Sequence, residues 1–210
     1  MSRCRTWPAC ALVVGVVIFW SAAGRAADVI VGSVLAVRGA VSSDAGAGPR
    51  PLVANAPVHL GDTIISAAGK AKIALDDGTI ISVGENSRVR IADYSSKPGE
   101  LKTHLSLLSG VLRLLVAKIT PTGTFEVETE TAIAAVRGTD WLIEATPELT
   151  SVAILSGAVA VSGRDAAAQT TVVLSEPGEG TDVRRGSAPT PVAGWGARRF
   201  INLLARATFD

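Results

Sequence analysis

Between Val29 and about Val183 the chain is cut, roughly every 8–12 residues, by Gly or Asp-Gly into short runs rich in Val, Ile, Leu and Thr. Runs this short leave no room for helical turns with an i, i+3, i+4 stripe, so the pattern demands strands. Phe125-Glu126-Val127-Glu128-Thr129-Glu130 alternates strictly, with Phe, Val and Thr on one face and three glutamates on the other, a solvated sheet face. Ala71 to Leu75, then Asp76-Asp77-Gly78-Thr79, then Ile80 to Val83 is the strongest hairpin signal. Arg88-Val89-Arg90-Ile91 again sets charge against branched aliphatics. Further strands are expected within 105–116, interrupted by Gly110, and at 132–136, 141–145, 152–155, 158–161 and 171–174. Gly32, Gly110 and Gly157 each precede an apolar run and are read as turn residues.

Two segments read as surface loops: Ser42 to Pro51, which is small, polar and Pro/Gly-rich, and Tyr94 to Lys102 around Ser-Ser-Lys-Pro-Gly-Glu. The 210 residues suit one domain. The fold class expected is all-β: many short strands in two packed sheets or a rolled, β-helix-like stack, with one short C-terminal α-helix. That helix is expected over Ala197 to Ala207, where Phe200, Leu203, Leu204 and Ala207 fall at i, i+3, i+4, i+7 and the arginines lie elsewhere. At about eleven residues it needs a surface to pack on: its own domain, a partner or a membrane.

The first 26 residues are set apart. Arg3 and Arg5 precede an apolar run from Ala9 to Trp20, and Gly24 and Ala26 place small side chains before a cleavage point, the pattern of a secretory signal. Twelve apolar residues span only about 18 Å of a hydrocarbon core about 30 Å thick, which argues against an uncleaved anchor. The expected layout is a signal peptide at 1–26, a β-domain at 27–183, a Pro/Gly-containing linker at 184–196, and a helix and tail at 197–210. The protein is expected in the periplasm or secreted, with no membrane span after cleavage.

Cys4 and Cys10 both lie in the signal, so the processed chain would carry no disulfide and no thiol chemistry. Losing Arg3, Arg5 and Arg25 leaves 17 basic against 19 acidic side chains. Neither nucleic acid nor an acidic membrane finds support in that net charge. The two histidines, His59 and His104, lie far apart beside strand-like sequence, and no nucleophile elbow or zinc spacing accompanies them. Asp76-Asp77-Gly78 lacks the spaced ligands of a calcium loop and is read as a turn. No carboxylate pair is singled out, so the chain is expected to be no enzyme and to need no cofactor or metal.

Gly61-Asp62-Thr63-Ile64-Ile65, Ala71 to Thr79 with Asp77 and Gly78, Phe125 to Thr131, Ala135-Val136-Arg137-Gly138-Thr139 and Leu155-Ser156-Gly157-Ala158-Val159, in that order, resemble the FecR-domain family over about Val29 to Val161. The resemblance implies an extracytoplasmic all-β module, named for regulators that relay the occupancy of an outer-membrane iron-siderophore transporter to a sigma factor. Those regulators place an anti-sigma segment and a membrane helix before that module. Here eight residues precede the apolar run, so the chain resembles the stand-alone secreted branch.

Gly61, Gly78 and Gly138 are candidates for positive φ. Arg137 is expected to pair with Asp140 or Asp62 as a structural latch, with ligand contact as the rival reading. Binding candidates are Arg137, Asp140 and Trp141, together with Phe200, Leu203 and Leu204 on the helix. The expected function is a non-enzymatic binding module with an envelope protein partner, the alternatives being a signalling relay through a membrane partner and a glycan-binding module.

Overall fold

The computed structural model describes residues 29–46, 48–97, 100–117, 123–165 and 170–209. The signal expected at 1–26 lies outside them. In chain order come β1 Ile30–Arg38, β2 Val41–Asp44, β3 Arg50–Pro51, β4 Pro57–His59, β5 Thr63–Ser66, β6 Lys70–Leu75, β7 Ile80–Val83, β8 Arg88–Ser95 and β9 Lys102–Leu115. Then follow β10 Thr124–Glu128, β11 Ala132–Val136, β12 Asp140–Ala145, β13 Leu149–Ser156, β14 Val159–Gly163, β15 Thr171–Leu174, β16 Glu179–Arg184 and β17 Ala193–Gly194, and last α1 Ala197–Ala207.

The strands form two sheets that share β9. A front sheet has the order β4-β1-β6-β7-β9-β12-β13-β16-β17. A back sheet has the order β3-β2-β5-β8-β9-β10-β11-β14-β15. Among described strands only β9 and β10 pair in parallel. The chain rolls between the sheets, β5 lying in the back, β6 and β7 in the front, β8 in the back again. The result is all-β, two packed sheets wound by one rolling chain, with a C-terminal helix.

Alternation puts one side chain in two between the sheets, where Ile64, Ile73, Ile81, Leu105, Phe125 and Trp141 join a single buried cluster. Burying each large aliphatic contributes roughly 1.5–3 kcal/mol. Strand β9 serves both sheets because it changes parity. Leu105 and Leu107 point inward before Gly110, Leu112 and Leu114 after it. Gly110 is therefore not a turn before a strand but a bend inside one, at φ +97° and packed onto Ser87.

Two expected loops are shorter than the sequence suggested. Ser42 pairs with Pro51 and Ser43 with Arg50, because Asp44 accepts the Gly46 and Gly48 amides and closes a hairpin. Tyr94 and Ser95 continue β8, opposite Thr103 and Lys102. Residues 184–196 lie along β16, where the Thr181 hydroxyl donates to the Thr190 carbonyl at 2.7 Å and β17 completes the front sheet.

Helix α1 lies on the outer side of the front sheet. Its Leu203 and Ala207 pack on Val111, Leu142 and Ala153, with Phe200, Leu204, Leu155 and Trp195 around them. Lys70 donates to the carbonyls of Ala205 (2.9 Å) and Thr208 (3.0 Å) at its C-terminus. Arg206 pairs with Glu144 and Arg199 with Asp182, both at 2.5 Å, and Arg199 also lies 3.5 Å over the Trp195 ring.

Burial pushes the Asp182 carboxyl up, but hydrogen bonds from Arg199 and Ser151 outweigh it and hold the group below its ordinary 3.8. A depressed folded pKa contributes stability that is complete above the unfolded value and lost as pH falls through the folded one. Docking of α1 is therefore expected to weaken only beneath pH 3.8. Tryptophan fluorescence followed from pH 6 to pH 2 should show a step that Asp182→Asn removes; an identical step in the variant would place the titrating group elsewhere.

Candidate functional site

The outer side of the back sheet carries a trough. Register places Glu126 of β10, Ala135 of β11, Ala160 of β14 and Val173 of β15 in one row across four strands. Successive methyl side chains between a glutamate and a valine leave a depression of about 340 Å³, lined also by Thr124, Arg137 and Ala158. Val173 is largely exposed, and β15 has no further strand beside it among the described residues.

Arg137 stands exposed where β11 leaves the sheet. The corner that aims it is locked: the Thr139 hydroxyl donates to the Ala158 carbonyl at 3.0 Å, and the Thr139 carbonyl accepts the Val116 amide at 2.9 Å. Gly157, at φ +95°, packs so closely that a Cβ there would fall 2.8 Å from the Gly138 carbonyl oxygen. Arg-Gly-Thr and Ser-Gly-Ala are thus the two halves of one corner. This interlocking sets Arg137 at the mouth of an apolar trough whose other end is closed by Glu126, so the trough can hold an apolar group between two opposite charges.

The six binding candidates do not form one site. Arg137 lines the back trough. Trp141 is fully buried between the sheets and touches no surface, because β12 turns it inward. Asp140 lies on the front, held by Arg113 through two hydrogen bonds of 3.0 and 2.8 Å that push the arginine's pKa up. Phe200, Leu203 and Leu204 belong to the α1 seam on the front sheet.

The latches expected of Arg137 at Asp140 and Asp62 are supplied by other arginines. Asp62 is fully buried and accepts Arg50 at 2.6 Å and the His59 amide at 3.0 Å, which pins the corner at Gly61. Asp77 accepts the Thr79 amide at 2.8 Å and closes the β6–β7 turn at Gly78. His104 lies on the back face, 3.1 Å from Glu128, which also pairs with Arg164. Among the described residues no three His, Cys, Asp or Glu gather as metal ligands, and no helix is long and apolar enough to cross a membrane.

Ala135, Ala158, Ala160 and Val173 were invisible as site residues in sequence, since their row exists only through the pairing of four strands. The alternation at 132–136 and 158–161 was the only signal.

Residues 62–160, which hold both halves of the corner and most of the trough, match the family model described as FecR protein. Those residues form a FecR-type domain. None of the curated proteins matches the chain's sequence. Among solved structures, two crystal structures of a protein of Parabacteroides distasonis ATCC 8503 assigned as an anti-sigma factor share its fold. Each has a TM-score of 0.52 at 19% identity, over 67% of this chain and 62% of that one. The FecR-domain chain thus spans less than two thirds of that protein's length.

Proposed function

We propose that this FecR-domain protein is a non-enzymatic, extracytoplasmic interaction module of an envelope signalling relay, and that its protein partner docks in the back trough. One observation carries the reading: Arg137, a residue of the corner inside the family match, stands at the mouth of the apolar trough. The signal expected at 1–26 supports an extracytoplasmic site of action, and the family match and the assigned anti-sigma factor of like fold support a relay. An apolar floor with a charged rim suits a partner side chain anchored between them.

The test is a photo-crosslinking residue in place of Thr124, at the rim of the trough, compared with one in place of Leu35 on the front sheet, in cells of the native host. Position 124 should give a discrete adduct with one envelope protein. Arg137→Glu should reduce that adduct to about a tenth, the loss expected when a charged hydrogen bond is removed. Adducts with glycan alone, or a yield untouched by Arg137→Glu, would overturn the docking site. Deleting the gene should change the same transcripts as deleting the partner; unchanged transcription would remove the relay.

A further inference from the structure

The front of this molecule carries an excess of outward cations. On the front, Arg38, Lys70, Lys72, Arg113 and Arg184 project outward from β1, β6, β9 and β16, by alternation with buried neighbours. Helix α1, lying on the same side, adds Arg198, Arg199 and Arg206. Against these eight cations, the outward acidic side chains on the described front strands are Asp140, Glu144 and Asp182, each already paired with Arg113, Arg206 or Arg199. Residues 27–210 have two more acidic than basic side chains, so this excess is balanced elsewhere. On the back, Glu126, Glu128, Glu130 and Asp93 are matched by Arg88, Arg90, Lys102, Arg137 and Arg164. Net charge hid the asymmetry.

Large aliphatic side chains stand among those cations. Leu35 is 47% exposed, Leu115 51% and Ile201 60%. Beside α1, Lys72, Ile80, Ser82, Arg113 and Leu115 line a groove of about 160 Å³ in which two cations border two aliphatics.

We propose that this front side docks on an anionic lipid surface. Cations over a broad face suit a plane of phosphate headgroups, and the interspersed aliphatics suit the boundary between headgroups and acyl chains. An acidic peptide would account for the cations and leave Leu35, Leu115 and Ile201 in water. The apolar face of α1 is spent on the sheet, so the contact is shallow: α1 presents its outer arginines and Ile201. Docking this way leaves the back trough facing away from the membrane, free for a partner, although the two readings stand independently.

The experiment uses the protein as recovered from the cell envelope, floated with vesicles of phosphatidylcholine alone or with a third of the lipid replaced by phosphatidylglycerol. Binding should require phosphatidylglycerol and fall with added salt. Each basic residue near such a surface strengthens binding about fivefold, so Lys72→Glu with Arg198→Glu should weaken it about 25-fold or more. Arg88→Glu with Arg90→Glu makes the same charge change on the back sheet and should leave binding within about twofold. Leu115→Ser with Ile201→Ser should weaken binding without altering its salt dependence. Equal loss in the front and back pairs, no binding to phosphatidylglycerol vesicles, or binding of soluble polyglutamate without binding of vesicles would each overturn the proposal. Circular dichroism of every variant keeps misfolding apart from lost docking.

Discussion

Gly110→Ala is expected to lower the stability of this protein by about 3–5 kcal/mol, in a range where most domains have about 5–15 kcal/mol in all. Two costs combine. A non-glycine residue at φ +97° is disfavoured by roughly 1–2 kcal/mol, and a Cβ there would lie 2.2 Å from the Ser87 hydroxyl and 2.3 Å from its Cα. Ser87 cannot yield cheaply. Its hydroxyl accepts the Val111 amide at 2.9 Å, and its own amide donates to the Ser66 hydroxyl at 2.9 Å, which in turn donates to the Gly84 carbonyl. Moving Ser87 breaks a buried chain of hydrogen bonds at the place where β9 passes between sheets. Gly178→Ala provides the comparison, since Gly178 has φ +87° with nothing near the added Cβ; it should cost only about 1–2 kcal/mol. Denaturant melts measure the difference. Equal losses would mean that the close approach to Ser87 contributes nothing and that φ alone matters.

Gly110 also shows why the fold was legible in part. Short runs and alternation declared strands because each strand's pattern is local, and the β6–β7 hairpin was readable because Asp77 and Gly78 determine the turn within four residues. Helix α1 was equally local, its stripe and its length visible in eleven residues. Pairing is not local. Nothing in the run 105–116 says that its first half pairs with β8 and β10 and its second half with β7 and β12, although the switch from Leu105 and Leu107 to Leu112 and Leu114 across Gly110 is the trace that the crossing leaves. The trough depends on pairing four strands deep, so it was hidden for the same reason. Arg137, Asp140 and Trp141 are near neighbours in sequence, yet they end on the back, the front and the interior. A chain that crosses between sheets at each corner separates neighbours, and nearness in sequence there carries little information about a shared site.

Leu203→Asp is expected to free α1 from the front sheet while the β-body stays folded. An eleven-residue helix is marginal alone in water, and the residue preceding α1, Gly196, offers no side chain to cap it. Its order must come from docking. The two exposed arginine pairs contribute at most about 1 kcal/mol each, so the apolar seam of Leu203 and Ala207 on Val111, Leu142 and Ala153 holds most of the energy. Truncating a buried leucine costs about 2–5 kcal/mol, and leaving an unpaired carboxylate in that seam costs several more. Undocking costs only what the seam, the two pairs and the Lys70 hydrogen bonds supply, so the helix leaves before the charge is buried. Hydrogen exchange should then show the amides of 200–207 unprotected, with those of β9 and β12 slowed as in the parent protein. Protection retained along α1 would show that the helix is held by more than its seam. A fall in protection throughout β9 and β12 would show instead that the helix is part of the same cooperative unit, and that Val111, Leu142 and Ala153 belong to a core with two sides. The outcome also bears on the lipid-facing surface: a freed helix takes Arg198, Arg199 and Ile201 away from the plane shared with Lys72 and Leu115, and exposes its own apolar stripe in exchange.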